Sequence, residues 1–395
     1  MVQSRDVVLV SGVRTAIGDF GGALKDLPPT ELAAMCVREA VARSTLAPAE
    51  IGHSVFGNVI HTEPKDMYLA RVAAVQGGLP VDTPALTLNR LCGSGIQAII
   101  SAAQMIQLGD VDAAVAGGVE SMSRAAYMVP ALRWGQRMGD GSFVDAMTGA
   151  LTDPFGHGHM GVTAETVATK WQISREEQDQ FAVESHRRAA AAIDGGRFKD
   201  QILPVEIKTR KGVVPFDTDE HVRRDVTVDG LAKLKTVFAK DGSVTAGNAS
   251  GINDAAAALV LMEAKAAEKR GLRPLARLVA YAHSGVEPGV MGIGPVPAVR
   301  KVLAKAGWSA ADLDVIESNE AFAAQACAVA KELSLPAERT NPNGGAIALG
   351  HPIGATGAIL TIKAAYEMNR INGRQALVTM CIGGGQGIAL LLAAA

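Results

Sequence analysis

Residues 37–51, VREAVARSTLAPAEI, run in step with residues 299–313, VRKVLAKAGWSAADL, without a gap. Val37 faces Val299, Arg38 faces Arg300, Ala42 faces Ala304 and Ile51 faces Leu313. Each copy reads as an amphipathic helix, a small-residue turn, a short acidic turn and a strand, Val55-Phe56 or Val315-Ile316. A second echo follows. Cys92-Gly93-Ser94-Gly95 opens a helix through Leu108, Gly109-Asp110 turns, and Ala113 to Gly118 forms a strand. In the later half Gly354-Ala355-Thr356-Gly357 opens a helix through Arg370, Asn372-Gly373 turns, and Ala376 to Met380 forms a strand. Strand, helix and strand repeated in one order constrain the chain to a duplicated α/β layer, with right-handed crossovers and helices on both faces. Two copies meeting across a pseudo-twofold axis is the expected architecture. Chance likeness between Ala-rich helices is the competing reading, and the shared element order counts against it.

Between the copies, residues 121–246 change character. Met122, Met128, Met138, Met147 and Met160 are scattered through segments rich in Gly, Arg and Asp, and residues 208–235 read as mixed-charge and strand-poor. Ser174-Arg175-Glu176-Glu177 reads as a capping box that starts a helix through Ile193. An excursion this long, with its own helices, is usually an inserted subdomain that covers a site or mediates assembly. The strand Ala255 to Met262 then returns to the first core. The expected division is 1–120 with 247–272 as one core, 121–246 as the inserted subdomain and 273–395 as the second core.

Only 4% of the 395 residues are aromatic, so the core must be built from closely packed Ala, Val, Ile and Leu, with 43 glycines letting backbone approach backbone. A formal net charge of −2 removes the usual argument for non-specific nucleic-acid binding. Cys36, Cys92, Cys327 and Cys381 form no CxxC pair and no zinc-spaced cluster with His. No metal or redox cofactor is therefore expected, and a reduced, cytoplasmic compartment is the simpler reading. The first residues run from Met1 to Asp6 directly into Val7–Val10 without the pattern of a leader. The apolar stretch 376–395 is broken by Gly383-Gly384-Gly385-Gln386-Gly387, which reads as two buried strands around a turn rather than a membrane span.

Four segments carry chemistry. Leu91-Cys92-Gly93-Ser94-Gly95 puts a thiol at the mouth of a helix, where unpaired N–H groups favour a thiolate; a small buried residue at a tight turn is the bland alternative. Gly350-His351-Pro352-Ile353-Gly354 presents an imidazole from a rigid loop, where a general base or a structural His would both fit. Cys381 precedes a Gly run that lacks the GxGxxG dinucleotide spacing and can bring a backbone N–H close to a ligand oxygen. Asn319-Glu320-Ala321-Phe322 closes a strand with adjacent polar groups, where Asn is either a turn former or a holder of water or carbonyl.

Taken together and in this order, these segments resemble the catalytic segments of the thiolase family. The resemblance spans essentially the whole chain, from Val10-Ser11-Gly12-Val13-Arg14-Thr15 to the final Gly run, and is strongest to bacterial biosynthetic acetyl-CoA acetyltransferases and to the β-ketothiolases of polyhydroxyalkanoate producers. It implies a five-layer α-β-α-β-α thiolase fold and a reversible Claisen condensation of acyl-CoA with acetyl-CoA. Cys92 would carry the acyl group, His351 would take its proton, and Cys381 would act as acid and base on the second substrate. One oxyanion hole is implied at His351 with a water held by Asn319, the other at the N–H groups of Cys92 and Gly383. Ala246 and Ser250 would contact pantetheine, with Leu151, His159, Met160, Phe238, Ala321 and Phe322 lining its tunnel. Met160 and Met291 would bound the acyl pocket, Arg223 would meet the adenine nucleotide, and Glu320 has no assigned part. The inserted subdomain would bind CoA and build a homotetramer, with a dimer as the other possibility. CoA thioesters enter as substrates rather than cofactors, and no nucleic acid or membrane partner is implied. A decarboxylating ketoacyl synthase, a non-catalytic acyl-CoA or lipid-transfer protein and, more distantly, a nucleotide-dependent oxidoreductase are the rival readings.

Overall fold

The computed structural model describes residues 5–210 and 212–395, so the expectation about the first four residues lies outside the described residues. The first half supplies β1 (Val7–Thr15), α1 (Pro29–Ser44), β2 (His53–Gly57), α2 (Leu69–Gln76), β3 (Ala85–Leu88), α3 (Ser94–Leu108) and β4 (Ala113–Ser121). Residues 122–252 carry the helices α4 (Met160–Trp171) and α5 (Arg175–Asp194), and the chain returns in β5 (Asn253–Glu263). The second half supplies β6 (Ala276–Gly285), α6 (Pro295–Ala306), β7 (Val315–Ser318), α7 (Ala323–Leu333), α8 (Ile353–Arg370), β8 (Gln375–Ile382) and β9 (Gln386–Ala393).

The strands lie in the order β7-β8-β9-β6-β1-β5-β4-β2-β3. From the β6/β1 junction outward, the first half runs through its first, fifth, fourth, second and third strands in chain order. The second half repeats that order, with a parallel bridge from Ile316 to Thr340 in the place of the missing strand. Duplication thus extends to topology. His53 pairs with Ala114 and Val315 with Ala376, so the two copies keep one constant sequence offset from their helices to their strands. The two half-sheets also hydrogen-bond to each other, through Val7–Leu9 against Ala276–Leu278, and form one continuous sheet folded around a central helical layer.

Alternation of side chains builds the layers. In β5, Ala255, Ala257, Leu259 and Leu261 face a central cluster shared with α3 and α8, while Ala256, Ala258, Val260 and Met262 face an outer cluster shared with α1. In β8 and β9, Leu377, Ala389 and Leu391 face a second outer cluster with α6 and α7. That makes helix, sheet, helix, sheet, helix. The two central helices can touch backbone to backbone because Gly95 has no side chain: a Cβ there would lie 2.5 Å from the Ala358 nitrogen.

The connection between β8 and β9 is Gly383-Gly384-Gly385, whose last two glycines take the left-handed φ of a tight turn. The equivalent connection between β4 and β5 is the whole of residues 122–252. The Ser174 capping box forms as expected, with its hydroxyl accepting from Glu177 N at 3.1 Å and Ser174 N donating to the Glu177 carboxylate at 2.7 Å. One expectation needs correction. Residues 208–235 are not wholly strand-poor, because Val205–Thr209 and Gly212–Phe216 pair as an antiparallel hairpin. Its residues are mostly exposed; Val205, Ile207 and Thr209 do alternate with Glu206 and Lys208, but Gly212–Phe216 lacks alternation and contains Pro215, which reads against a strand.

Candidate active site

Three strand or loop ends and one helix mouth converge on a cavity of about 540 Å³. Cys92 sits just ahead of α3, where Leu91 takes φ 44°, left-handed for a non-glycine residue. Leu91 N donates to Asn89 Oδ1 at 2.8 Å, and the Ser94 hydroxyl donates to Leu91 O at 2.6 Å while accepting from Arg90 N at 2.8 Å. The loop holding the thiol is therefore fixed by its own side chains. The Gly383 N–H and the N–H of Cys92 itself both point at the sulfur and favour its anion. Burial outweighs them, with the charge of Glu120 adding to it, and pushes the Cys92 thiol up to about 11. The Cys381 thiol is also driven far up, by burial and by the nearby Cys92.

His351 is buried, and loss of solvent pulls its imidazole down to about 4, so it stands neutral at pH 7. Its Nδ1 lies 2.7 Å from the Thr356 hydroxyl, which itself lies 2.9 Å from Pro352 O. A carbonyl can only accept, so the single hydroxyl proton goes to Pro352 and Nδ1 is the donor to Thr356. Nε2 is thereby left with its lone pair, 3.4 Å from Nδ2 of Asn319. The backbone N–H of His351 donates to Asn253 Oδ1 at 2.9 Å.

Every residue read from the sequence as catalytic or substrate-binding lies on the wall of this cavity except Asn319. Cys92, His351, Cys381 and Gly383 line it with Leu151, His159, Met160, Arg223, Phe238, Ala246, Ser250, Met291, Ala321 and Phe322. Asn319 is buried beside Nε2 of His351, and its Oδ1 has no hydrogen-bond partner among the described residues. His159 stacks on Phe238 at 4.8 Å between ring centroids, and Phe238 meets Phe322 edge to face at 6.3 Å, making one apolar wall. Glu320 is elsewhere. Its buried carboxylate accepts from Ser185 Oγ at 2.6 Å, Asn341 Nδ2 at 2.8 Å and Ile347 N at 3.2 Å, tying the 319–322 corner to α5 and to the following turn.

Two family models match the chain: Thiolase, N-terminal domain, over residues 7–265 and Thiolase, C-terminal domain, over residues 272–394. The chain belongs to the thiolase family. It is 66% identical over 389 residues to the β-ketothiolase BktB of Cupriavidus necator, covering 98% of this chain and 99% of that one. It is 51% identical over 391 residues to the acetyl-CoA acetyltransferase of Pseudomonas aeruginosa, at 98% and 99% coverage. The crystal structure of the Bacillus anthracis acetyl-CoA acetyltransferase superposes with a TM-score of 0.98 at 48% identity and full coverage of both chains. That of human mitochondrial 3-ketoacyl-CoA thiolase superposes at 0.97 with 44% identity and 99% coverage of each.

Reading the sequence of this thiolase missed several residues of the site. Asp19, His221, Leu91, Met122 and Ile353 also line the cavity, while Thr356 and Asn253 fix the imidazole from behind. Thr356 was legible in principle, as the hydroxyl five positions after His351 in the same helix mouth. Asn253 and Asp19 carried no local signal, because they reach the site only through strand pairing.

Proposed function

We propose that this chain is an acetyl-CoA C-acyltransferase of the β-ketothiolase kind. It would join an acyl-CoA to acetyl-CoA, and cleave a 3-ketoacyl-CoA in reverse, by a ping-pong path through an acyl group on Cys92. The observation that carries this reading is the convergence of Cys92, His351 and Cys381 with the Gly383 N–H in one cavity. The names of the relatives point the same way.

In the first half-reaction, Nε2 of His351 takes the Cys92 proton as the sulfur attacks the thioester carbonyl, and the carbon–sulfur bond to CoA breaks. Cys381 gives its proton to the departing CoA sulfur and becomes a thiolate. In the second half-reaction that thiolate removes a proton from the α-carbon of acetyl-CoA. The new carbanion attacks the acyl carbonyl, the bond to Cys92 breaks, and the Cys92 sulfur recovers its proton from His351. All three groups return to their starting states. Two neutral thiols beside a neutral imidazole, as burial makes them, are the starting state this cycle needs.

Charge develops on oxygen twice, and preorganised donors at both places lower the barrier. The N–H groups of Cys92 and Gly383 would hold the oxygen of the acyl-enzyme adduct. His351, protonated after the first half, would hold the enolate oxygen with a water kept by Asn319. Pantetheine would lie along the wall of His159, Phe238 and Phe322 beside Ala246 and Ser250, with Arg223 toward the nucleotide end. No cofactor enters this scheme, and a reduced cytoplasm suits the free state of all four cysteines.

We further propose that the inserted segment builds a homotetramer. Tyr127, Met128, Leu132, Trp134, Met138 and Phe143 project from it into solvent, with Trp134 and Met138 each 89% exposed. Apolar surface so concentrated favours a second copy of the same arm.

The experiment is mass spectrometry of the intact protein and its peptides after brief exposure to acetyl-CoA, with Cys92→Ala as control. An acetyl group on the Cys92 peptide alone is expected. No adduct while CoA still binds would overturn the reading in favour of a non-catalytic acyl-CoA-binding protein.

A further inference from the structure

Glu120 is a fully buried carboxylate that the reaction scheme does not use. It stands at the end of β4, and four N–H donors converge on it. Oε1 accepts from Asn58 Nδ2 at 3.2 Å and Ile60 N at 3.0 Å; Oε2 accepts from Val59 N at 3.2 Å and Gly354 N at 2.8 Å. The four donors favour the anion, and burial works against them. Gly354 belongs to the first turn of α8, directly after His351 and Pro352, so one carboxylate ties the imidazole loop to the loop after β2. The approach is tight: a Cβ on Gly354 would lie 2.6 Å from Glu120 Oε2.

The duplicated fold supplies a comparison within the molecule. At the constant offset between the halves, Gly354 corresponds to Cys92 and Glu120 to Ile382. Ile382 supports the Cys92 loop by apolar packing, with its Cδ1 2.5 Å from where a Cβ on Gly93 would stand. An apolar side chain can therefore support a helix mouth at this position. The first half carries a buried charge there instead, at the cost of desolvating it.

We propose that Glu120 is a positioning residue: through Gly354 N it docks the His351 loop against the loop after β2, on the Cys92 side of the site. The proposal rests on the reading of Cys92 and His351 as the reacting pair. Glu120 is among the groups that raise the Cys92 thiol, and its own carboxyl is pushed up to about 8 by burial against the pull of the Ile60, Gly354 and Val59 N–H groups. Asp254 on β5 is the like charge facing Glu120, and Glu120 and Cys381 are the groups whose charge bears on or answers to Cys92.

The test is steady-state kcat and KM, with urea midpoints, in wild type and Glu120→Gln. Turnover should fall by about tenfold or more with KM little changed, because the imidazole loop loses its anchor. Unchanged turnover would overturn the positioning, and a loss confined to KM or to the urea midpoint would reduce Glu120 to a structural group. Where the Gln variant does not fold, Glu120→Asp keeps the carboxyl group but withdraws it from Gly354. It should lower turnover with KM little changed, and wild-type turnover in it would likewise overturn the proposal. Acetylation of wild-type Cys92 by acetyl-CoA is measured separately, so failure of this inference is distinct from failure of the acyl-enzyme reading.

Discussion

Thr356 Oγ1 lies 2.7 Å from Nδ1 of His351, and its only proton is committed to the Pro352 carbonyl 2.9 Å away. The contact fixes the tautomer that leaves Nε2 basic, in the manner of the third member of a catalytic triad but with a hydroxyl instead of a carboxylate. Thr356→Val removes the acceptor and leaves Nδ1 buried without a partner. Turnover should drop by roughly 10- to 100-fold. Thr356→Ser should restore most of it, as steady-state rates of the purified variants would tell; a fully active Val variant would contradict the tautomer assignment.

Cys381 and Cys92 are separable by the half-reaction each serves. Cys381→Ala should still form acetyl-Cys92, seen as a stable adduct, and should lose condensation by roughly 10²-fold or more. Cys92→Ala should form no adduct at all. Normal condensation by Cys381→Ala would show that another group moves the α-proton.

Stability should depend on pH through His351. Its folded value, pulled down to about 4, lies below the ordinary value near 6.5, so the unfolded chain binds more protons between them. Stability is therefore whole above about pH 6.5 and declines as pH falls toward 4, by roughly 3 kcal/mol from this one group. Urea midpoints at pH 7 and pH 4.5 measure the decline, and His351→Asn should show a shallower one. Equal slopes in both proteins would mean that His351 is not the group responsible.

Arg14 and Asp219 are both fully buried and joined by two N–H donors at 2.7 and 2.9 Å, with Ile17 N also donating to Asp219 at 2.8 Å. The pair seats the stretch bearing His221 and Arg223 on β1. Asp219→Ala leaves a buried guanidinium uncompensated and should cost about 3–5 kcal/mol. Replacing Arg14 and Asp219 together by apolar residues should cost much less. Denaturation of the two variants decides it, and equal losses would argue against an unpaired charge as the cause.

The arm predicts assembly. Trp134→Asp with Met138→Asp places charge on the most exposed apolar residues of the inserted segment; on the proposed assembly, light scattering should report a tetramer for the wild type and a dimer for the double variant. A tetramer persisting in the double variant would move the interface elsewhere.

The repeat of residues 37–51 at 299–313 was enough to read a duplicated α/β layer, because helix period and strand alternation are local properties that the chain states twice. Cys92, His351 and Cys381 each stood in a setting that a structural residue would also fit, and it was the order of the four segments, with its resemblance to the thiolase family, that singled them out. The hairpin at 205–216 was only half legible: Val205, Ile207 and Thr209 alternate with Glu206 and Lys208, but the partner strand lacks alternation and contains Pro215. The states of the reactive groups were not legible. A thiol at a helix mouth meets N–H groups that favour its anion, and burial by residues far along the chain works against them. Asn253 and Glu120 reach His351 and Gly354 only through strand pairing and the packing of α8 against α3. Residue type and period are written along the chain. Solvent exclusion and the direction of each hydrogen bond exist only once distant segments are brought together, and those decided which atom here can take a proton.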